Sequence, residues 1–107
     1  MSLDVSLVMM LPCEVYEGNI THNLNGMAKE AGLYQWLWRP DEIEVTTAKQ
    51  LIGPLKVGLA LLESDPDRFR KLNPPNGWGT YDGLVEVVRD YLEACEKYPT
   101  ATIQVSR

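Results

Sequence analysis

The sequence predicts an α+β domain, mainly helical: three longer helices plus one short helix packed on a two-stranded β-ribbon formed by the N- and C-terminal strands. Three observations carry this. Apolar and polar residues alternate at both ends of the chain, the period of a half-buried strand. Between them, apolar residues recur three times at helical spacing. A chain of 107 residues, 45% hydrophobic and 23% charged, has the size and composition of one globular domain with one core, residues 1–107.

Leu3, Val5, Leu7 and Met9 alternate with Ser2, Asp4, Ser6 and Val8, and Pro12 ends this first strand. Ile20, Leu24, Met27, Ala28 and Ala31, spaced i, i+4, i+7, i+8 and i+11, make the first helix, with Gly32 as its C′ residue. Ala48, Leu51, Ile52, Leu55, Leu59 and Leu62 share a face of the second, capped by Thr46 or Thr47. Pro54 removes one of its hydrogen bonds and predicts a kink or restart at Gly53-Pro54. "SDPDRF" starts a short helix, with Asp65 as cap and Pro66 at the first position, running to about Leu72. Tyr81, Leu84, Val85, Val88, Tyr91, Leu92 and Cys95 form the core stripe of the third long helix, beginning near Thr80. Beyond Pro99, Ala101, Ile103 and Val105 alternate with Thr102, Gln104 and Ser106, a strand that pairs with the first. A two-stranded ribbon is marginal alone, so the helices cover it. "LYQWLWRPDE" and "NPPNGWGTY", which hold the three tryptophans, read as irregular.

The formal charge of −5 argues against nucleic acid and against an anionic membrane surface, both of which need clustered Lys and Arg. The apolar start lacks the basic region and cleavage site of a signal peptide, and no run is long enough to span a bilayer. The expected location is therefore the cytoplasm. Cys13 and Cys95, with no CxxC, are expected as two reduced thiols. A single histidine with no carboxylate three or four residues away does not make a zinc shell, and neither a Walker nor a Rossmann glycine pattern occurs, so no cofactor or metal is expected. Asn19-Ile20-Thr21 fits a glycosylation sequon, which without a secretion signal is accidental.

"NITHNLNGMA" holds the chemistry that is left. Placed on a helix, Asn19, His22, Asn23 and Gly26 form a polar stripe opposite Ile20, Leu24, Met27 and Ala31, with Gly26 where a backbone or ligand can come close. The plainer alternative is an Asn19 cap with a solvated polar back. A Cys13–His22 nucleophilic pair lacks a third, orienting group. Trp36 and Trp38 share a face if their segment is extended and not if it is helical. Trp38, Arg39, Trp78 and Tyr81 are of types enriched in binding hot spots, with core packing as the alternative for the aromatics.

Through "VYEGNITHNLNGMAKEAGLYQWLWRP", "NPPNGWGTYDGL" and the closing "VSR" the chain resembles a group of small uncharacterised proteins of bacteria and their phages, to which no activity is attached. The resemblance implies a prokaryotic or phage cytosolic protein acting singly or as an accessory component. The expectation is a non-enzymatic interaction protein that binds a protein partner through Asn19, Thr21, His22, Asn23, Trp38, Arg39, Asn76, Trp78 and Tyr81. The competing reading is a small-molecule binder or minor enzyme with a pocket around His22 and Trp78.

Overall fold

Strand β1 (Ser2–Val8) is the middle of a three-stranded antiparallel sheet, ordered β2-β1-β3, in the computed structural model, which describes residues 2–9 and 13–107. The terminal strands do pair, Val5 with Val105 and Leu7 with Ile103. Strand β3 is Thr102–Ser106. The two-stranded ribbon is nonetheless wrong, because β2 (Glu14–Thr21) lies along the other side of β1, pairing Leu3 with Ile20 and Leu7 with Tyr16. Pro12, expected to end β1, lies outside the described residues.

The physical reason for β2 is alternation. Tyr16, Gly18 and Ile20 point to the face that Leu3, Val5 and Leu7 bury, while Glu17, Asn19 and Thr21 point away with Ser2, Asp4 and Ser6. Ile20 therefore belongs to a strand, and its helical spacing to Leu24 and Met27 arises across a change of element. The chain turns through a 3-10 helix at His22–Leu24 into α1 (Asn25–Glu30), much shorter than the helix expected here. Its end matches the expectation. Gly32, at φ +75°, gives its N–H to Lys29, and Leu33 gives its own to Ala28, the two bonds of a Schellman motif.

The count of three longer helices and one short helix is likewise corrected, to two long and three short among the described residues. "YQWLW" is α2 (Tyr34–Trp38), followed by a 3-10 turn at Pro40–Ile43. Helix α3 (Ala48–Ser64) is opened by a capping box, in which Gln50 Oε1 accepts from the backbone N–H of Thr46 at 2.9 Å and Thr47 at 3.1 Å. It runs through Pro54 without the expected restart. Gly53 explains part of this, since it has no Cβ to meet the proline ring. The buried row Leu51, Leu55, Leu59 and Leu62 does the rest by packing. Helix α4 (Pro66–Arg70) starts with proline as expected, and α5 (Tyr81–Lys97) is capped by Thr80 Oγ1, which accepts from Gly83 N–H at 3.0 Å.

Helices α3 and α5 pack on each other and, with the inner sheet face, enclose one continuous core. No helix among the described residues is long and apolar enough to cross a membrane.

Two glycines test the packing. A Cβ at Gly58 of α3 would overlap the fully buried Leu33 side chain, whereas one at Gly26 of α1 meets nothing within 4 Å. The close approach expected at Gly26 is thus absent and occurs at Gly58. Gly58→Ala is expected to lose about 1–2 kcal/mol, overpacking outweighing the helix-propensity gain. Gly26→Ala should gain about 0.5–1 kcal/mol. Urea midpoints that move in opposite directions check the pair; two increases would refute the Leu33 contact.

Candidate functional site

The outward face of the sheet places Asn19 and Thr21 at the end of β2, beside Ser2 of β1. Residue 19 is a strand position and caps no helix, so the stripe of Asn19, His22, Asn23 and Gly26 does not exist as one surface. Asn19 Nδ2 donates to Ser2 Oγ at 2.8 Å and to Asp4 Oδ1 at 2.6 Å. A carboxylate only accepts, so the amide nitrogen must face it and Asn19 Oδ1 turns outward. Thr21 Oγ1 accepts from Asn23 N–H at 3.4 Å, which keeps the Thr21 hydroxyl proton free to donate.

The loop from Asn73 to Thr80 comes down beside this strand end. Asn73 Oδ1 accepts from Tyr81 N–H at 2.7 Å, and Gly77 N–H donates to Pro74 at 3.2 Å. Asn76 Oδ1 accepts from Trp78 N–H at 2.9 Å, so its Nδ2 is the group left to face outward. Gly79, at φ +104°, lets the loop touch β2 directly: a Cβ there would stand 2.6 Å from Thr21 Cγ2 and 2.9 Å from Leu24 Cγ. The result is an indole held out to solvent, Trp78 being 71% exposed, on a loop with its backbone fixed from within.

Ser2, Asn19, Thr21, Asn23, Asn76 and Trp78 together line a cleft of about 520 Å³. Five of the nine residues expected at a site meet here: Asn19, Thr21, Asn23, Asn76 and Trp78. Ser2 was missed from sequence; it is found only through its register with Thr21, which requires β2. None of the six side chains is ionisable. A smaller hollow of about 330 Å³ adjoins across Asn19 and Thr21, reaching Gly79 and the first turn of α5.

The other four expected residues are elsewhere. Tyr81 is buried at 5% exposure, its hydroxyl donating to the Leu62 carbonyl at 2.7 Å, and burial raises its pKa. It is a core residue that anchors α5 to α3. Trp38 is 3% exposed, stacked on Tyr34 with centroids 5.7 Å apart. His22 is half-buried with its ring 6.2 Å from that of Trp38, and it is not among the residues that line the cleft around Trp78. Its Nε2 is enclosed with no hydrogen-bond partner among the described residues. Arg39 is occupied by Glu42 at 3.2 Å and by the Tyr34 hydroxyl at 3.5 Å, contacts that raise its pKa, the Tyr34 bond foremost.

Beside it Arg107 donates to the Trp38 carbonyl at 2.9 Å and to both carboxylate oxygens of Asp41, at 2.8 and 3.4 Å. The guanidinium holds the Asp41 carboxyl below the usual carboxylate range. This second cluster ties the chain's last residue to α2 and the turn after it.

Cys13 is exposed and Cys95 buried, and neither is in a disulfide. Cys13 and His22 stand at opposite ends of β2, whose eight residues span roughly 26 Å at strand rise, too far for a nucleophilic pair. Among the described residues no group of three or more His, Cys, Asp or Glu is placed to share a metal ion. No family model, curated protein or solved structure matches the chain.

Proposed function

We propose that this chain is a non-enzymatic binding protein, a cytoplasmic accessory protein of bacterial or phage origin, that recognises its partner through the cleft around Trp78. The observation that carries the reading is the pairing of a solvent-exposed indole with five uncharged polar side chains in one concavity. A large exposed aromatic with an ordered backbone loses little conformational freedom on binding, the property of a hot-spot anchor. Amides and hydroxyls at its rim fix orientation, and the lining holds no ionisable side chain that would act as a general base on either hydroxyl.

The test is affinity capture from the native host with the intact protein and three variants. Trp78→Ala and Asn23→Ala should weaken retention of a specific partner, the first by about tenfold or more. Arg39→Ala, on the other cluster, should leave it within about twofold. Equal retention by all three variants would place recognition on another surface.

A further inference from the structure

We infer that the Trp78 cleft takes a neutral saccharide. This rests on the reading of the cleft as the recognition surface and specifies what occupies it.

Charge narrows the class first. With no Lys, Arg or His among the six lining residues, a phosphate or carboxylate would enter without a charge-assisted partner; with no Asp or Glu, an ammonium would do the same. Asp4, the carboxylate beside Asn19, is outside the lining and its Oδ1 is taken by the Asn19 amide, so the occupant is neutral and polar. The hydrogen-bonding inventory narrows it further. Asn19 presents an acceptor, because its nitrogen is spent on Ser2 and Asp4. Asn76 presents a donor, because its oxygen is held by the Trp78 N–H and its Nδ2 is left free among the described residues. Thr21 has a proton to give, and the Asn23 side chain, bonded to nothing among the described residues, offers both. Donors and acceptors are thus interleaved around one cavity. A saccharide answers that pattern, since each of its hydroxyls both donates and accepts and neighbouring hydroxyls sit side by side on the ring.

The aromatic platform decides between a sugar and the other neutral candidates. Trp78 is the one aromatic among the lining residues, so no second ring of the lining opposes it. A pyranose has a C–H face that packs on one indole and a hydroxylated face suited to water. A nucleobase has two apolar faces, and a one-sided platform leaves one of them wet. A volume of about 520 Å³ is in the usual range for small-ligand sites, about 300–1,000 Å³.

The experiment is a titration of the ¹⁵N-labelled full chain, following the Trp78 indole N–H and the Asn23 and Asn76 side-chain amides. The probes are glucose, galactose, mannose, N-acetylglucosamine and their short oligomers, with adenosine, guanosine and an N-acetylated, C-amidated tri-alanine peptide alongside. A neutral saccharide is expected to move these signals saturably, with an affinity on the order of millimolar for a single ring. Trp78→Ala should weaken it at least about tenfold, while Trp78→Phe, which keeps a platform, should stay within about threefold. Trp78 is exposed, so both variants retain the core. If the peptide or a nucleoside moves these signals and no saccharide does, the inference falls and the cleft still stands as the recognition surface. If no probe moves them and Trp78→Ala leaves host capture intact, both fall. A saccharide response that survives Trp78→Ala also overturns the assignment.

Discussion

Gly79→Ala is expected to destabilise the domain by about 2–5 kcal/mol, lowering the melting temperature by more than about 10 °C. Two effects add. The backbone at φ +104° is one that a residue with a Cβ rarely adopts, and the Cβ itself would stand 2.6 Å from Thr21 Cγ2 and 2.9 Å from Leu24 Cγ. Leu24 is buried, so it has little room to retreat. Gly77 provides the control. Its φ is +76°, yet a Cβ there meets nothing within 4 Å. Gly77→Ala should therefore show the backbone part alone, about 1–2 kcal/mol. Thermal melts of the two variants separate strain from overlap, and equal losses would deny the contact between the loop and β2. Where the native fold persists, the Trp78 indole signal of Gly79→Ala should also shift, because this contact is what seats the loop beside the strand.

That contact also shows why the site was only partly legible in sequence. The residue types were readable: an Asn- and Thr-rich stretch, and a Trp in a Gly-rich loop, are unusual enough to single out. Their convergence was not, because it depends on a positive-φ glycine and on a register between β1 and β2. The helical wheel led astray at Ile20, where a strand residue, a 3-10 residue and an α1 residue reproduce by chance the spacing of a single helix face. Gly18 and Asn19 disguise β2 further, both being poor strand formers. By contrast α5 was readable throughout: its stripe from Tyr81 to Cys95 is long, and Thr80 caps it. That stripe already contained Tyr81, so its burial was the sounder inference from sequence than its place in a binding surface. The terminal strands were readable as strands, but not which of them is central, since that is decided by a partner lying between them in sequence.

The same α5 stripe predicts a fold that weakens in alkali. Tyr16 of β2 stacks on Tyr91 of α5 with ring centroids 5.4 Å apart, and Cys95 lies one turn beyond Tyr91. Burial pushes the Tyr16 phenol from 10.0 up to about 12 and the Cys95 thiol from 9.0 up to about 12, and raises Tyr91 as well. All three are neutral when protonated. Above pH 9 the unfolded chain therefore gives up protons that the folded chain still holds, and stability falls with pH. The loss is absent below about pH 9, begins with Cys95, is joined near pH 10 by the tyrosines, and for Cys95 and Tyr16 is complete at about pH 12. Cys95 alone contributes on the order of 4 kcal/mol by the end of that window, at ~1.4 kcal/mol per pH unit. Half-buried Tyr16 adds less than its shift would imply, because solvent screens it. Against a typical domain stability of about 5–15 kcal/mol, the sum is a large fraction of the total by pH 12. Urea midpoints measured at pH 8, 9, 10 and 11 should fall steadily in the parent and less steeply in Cys95→Ala. Tyr91→Phe should also flatten the curve. Its hydroxyl is buried without a partner among the described residues, so removing it should leave stability at pH 8 unchanged or raise it by about 1 kcal/mol. If both variants follow the parent's slope, the alkaline loss originates outside this cluster.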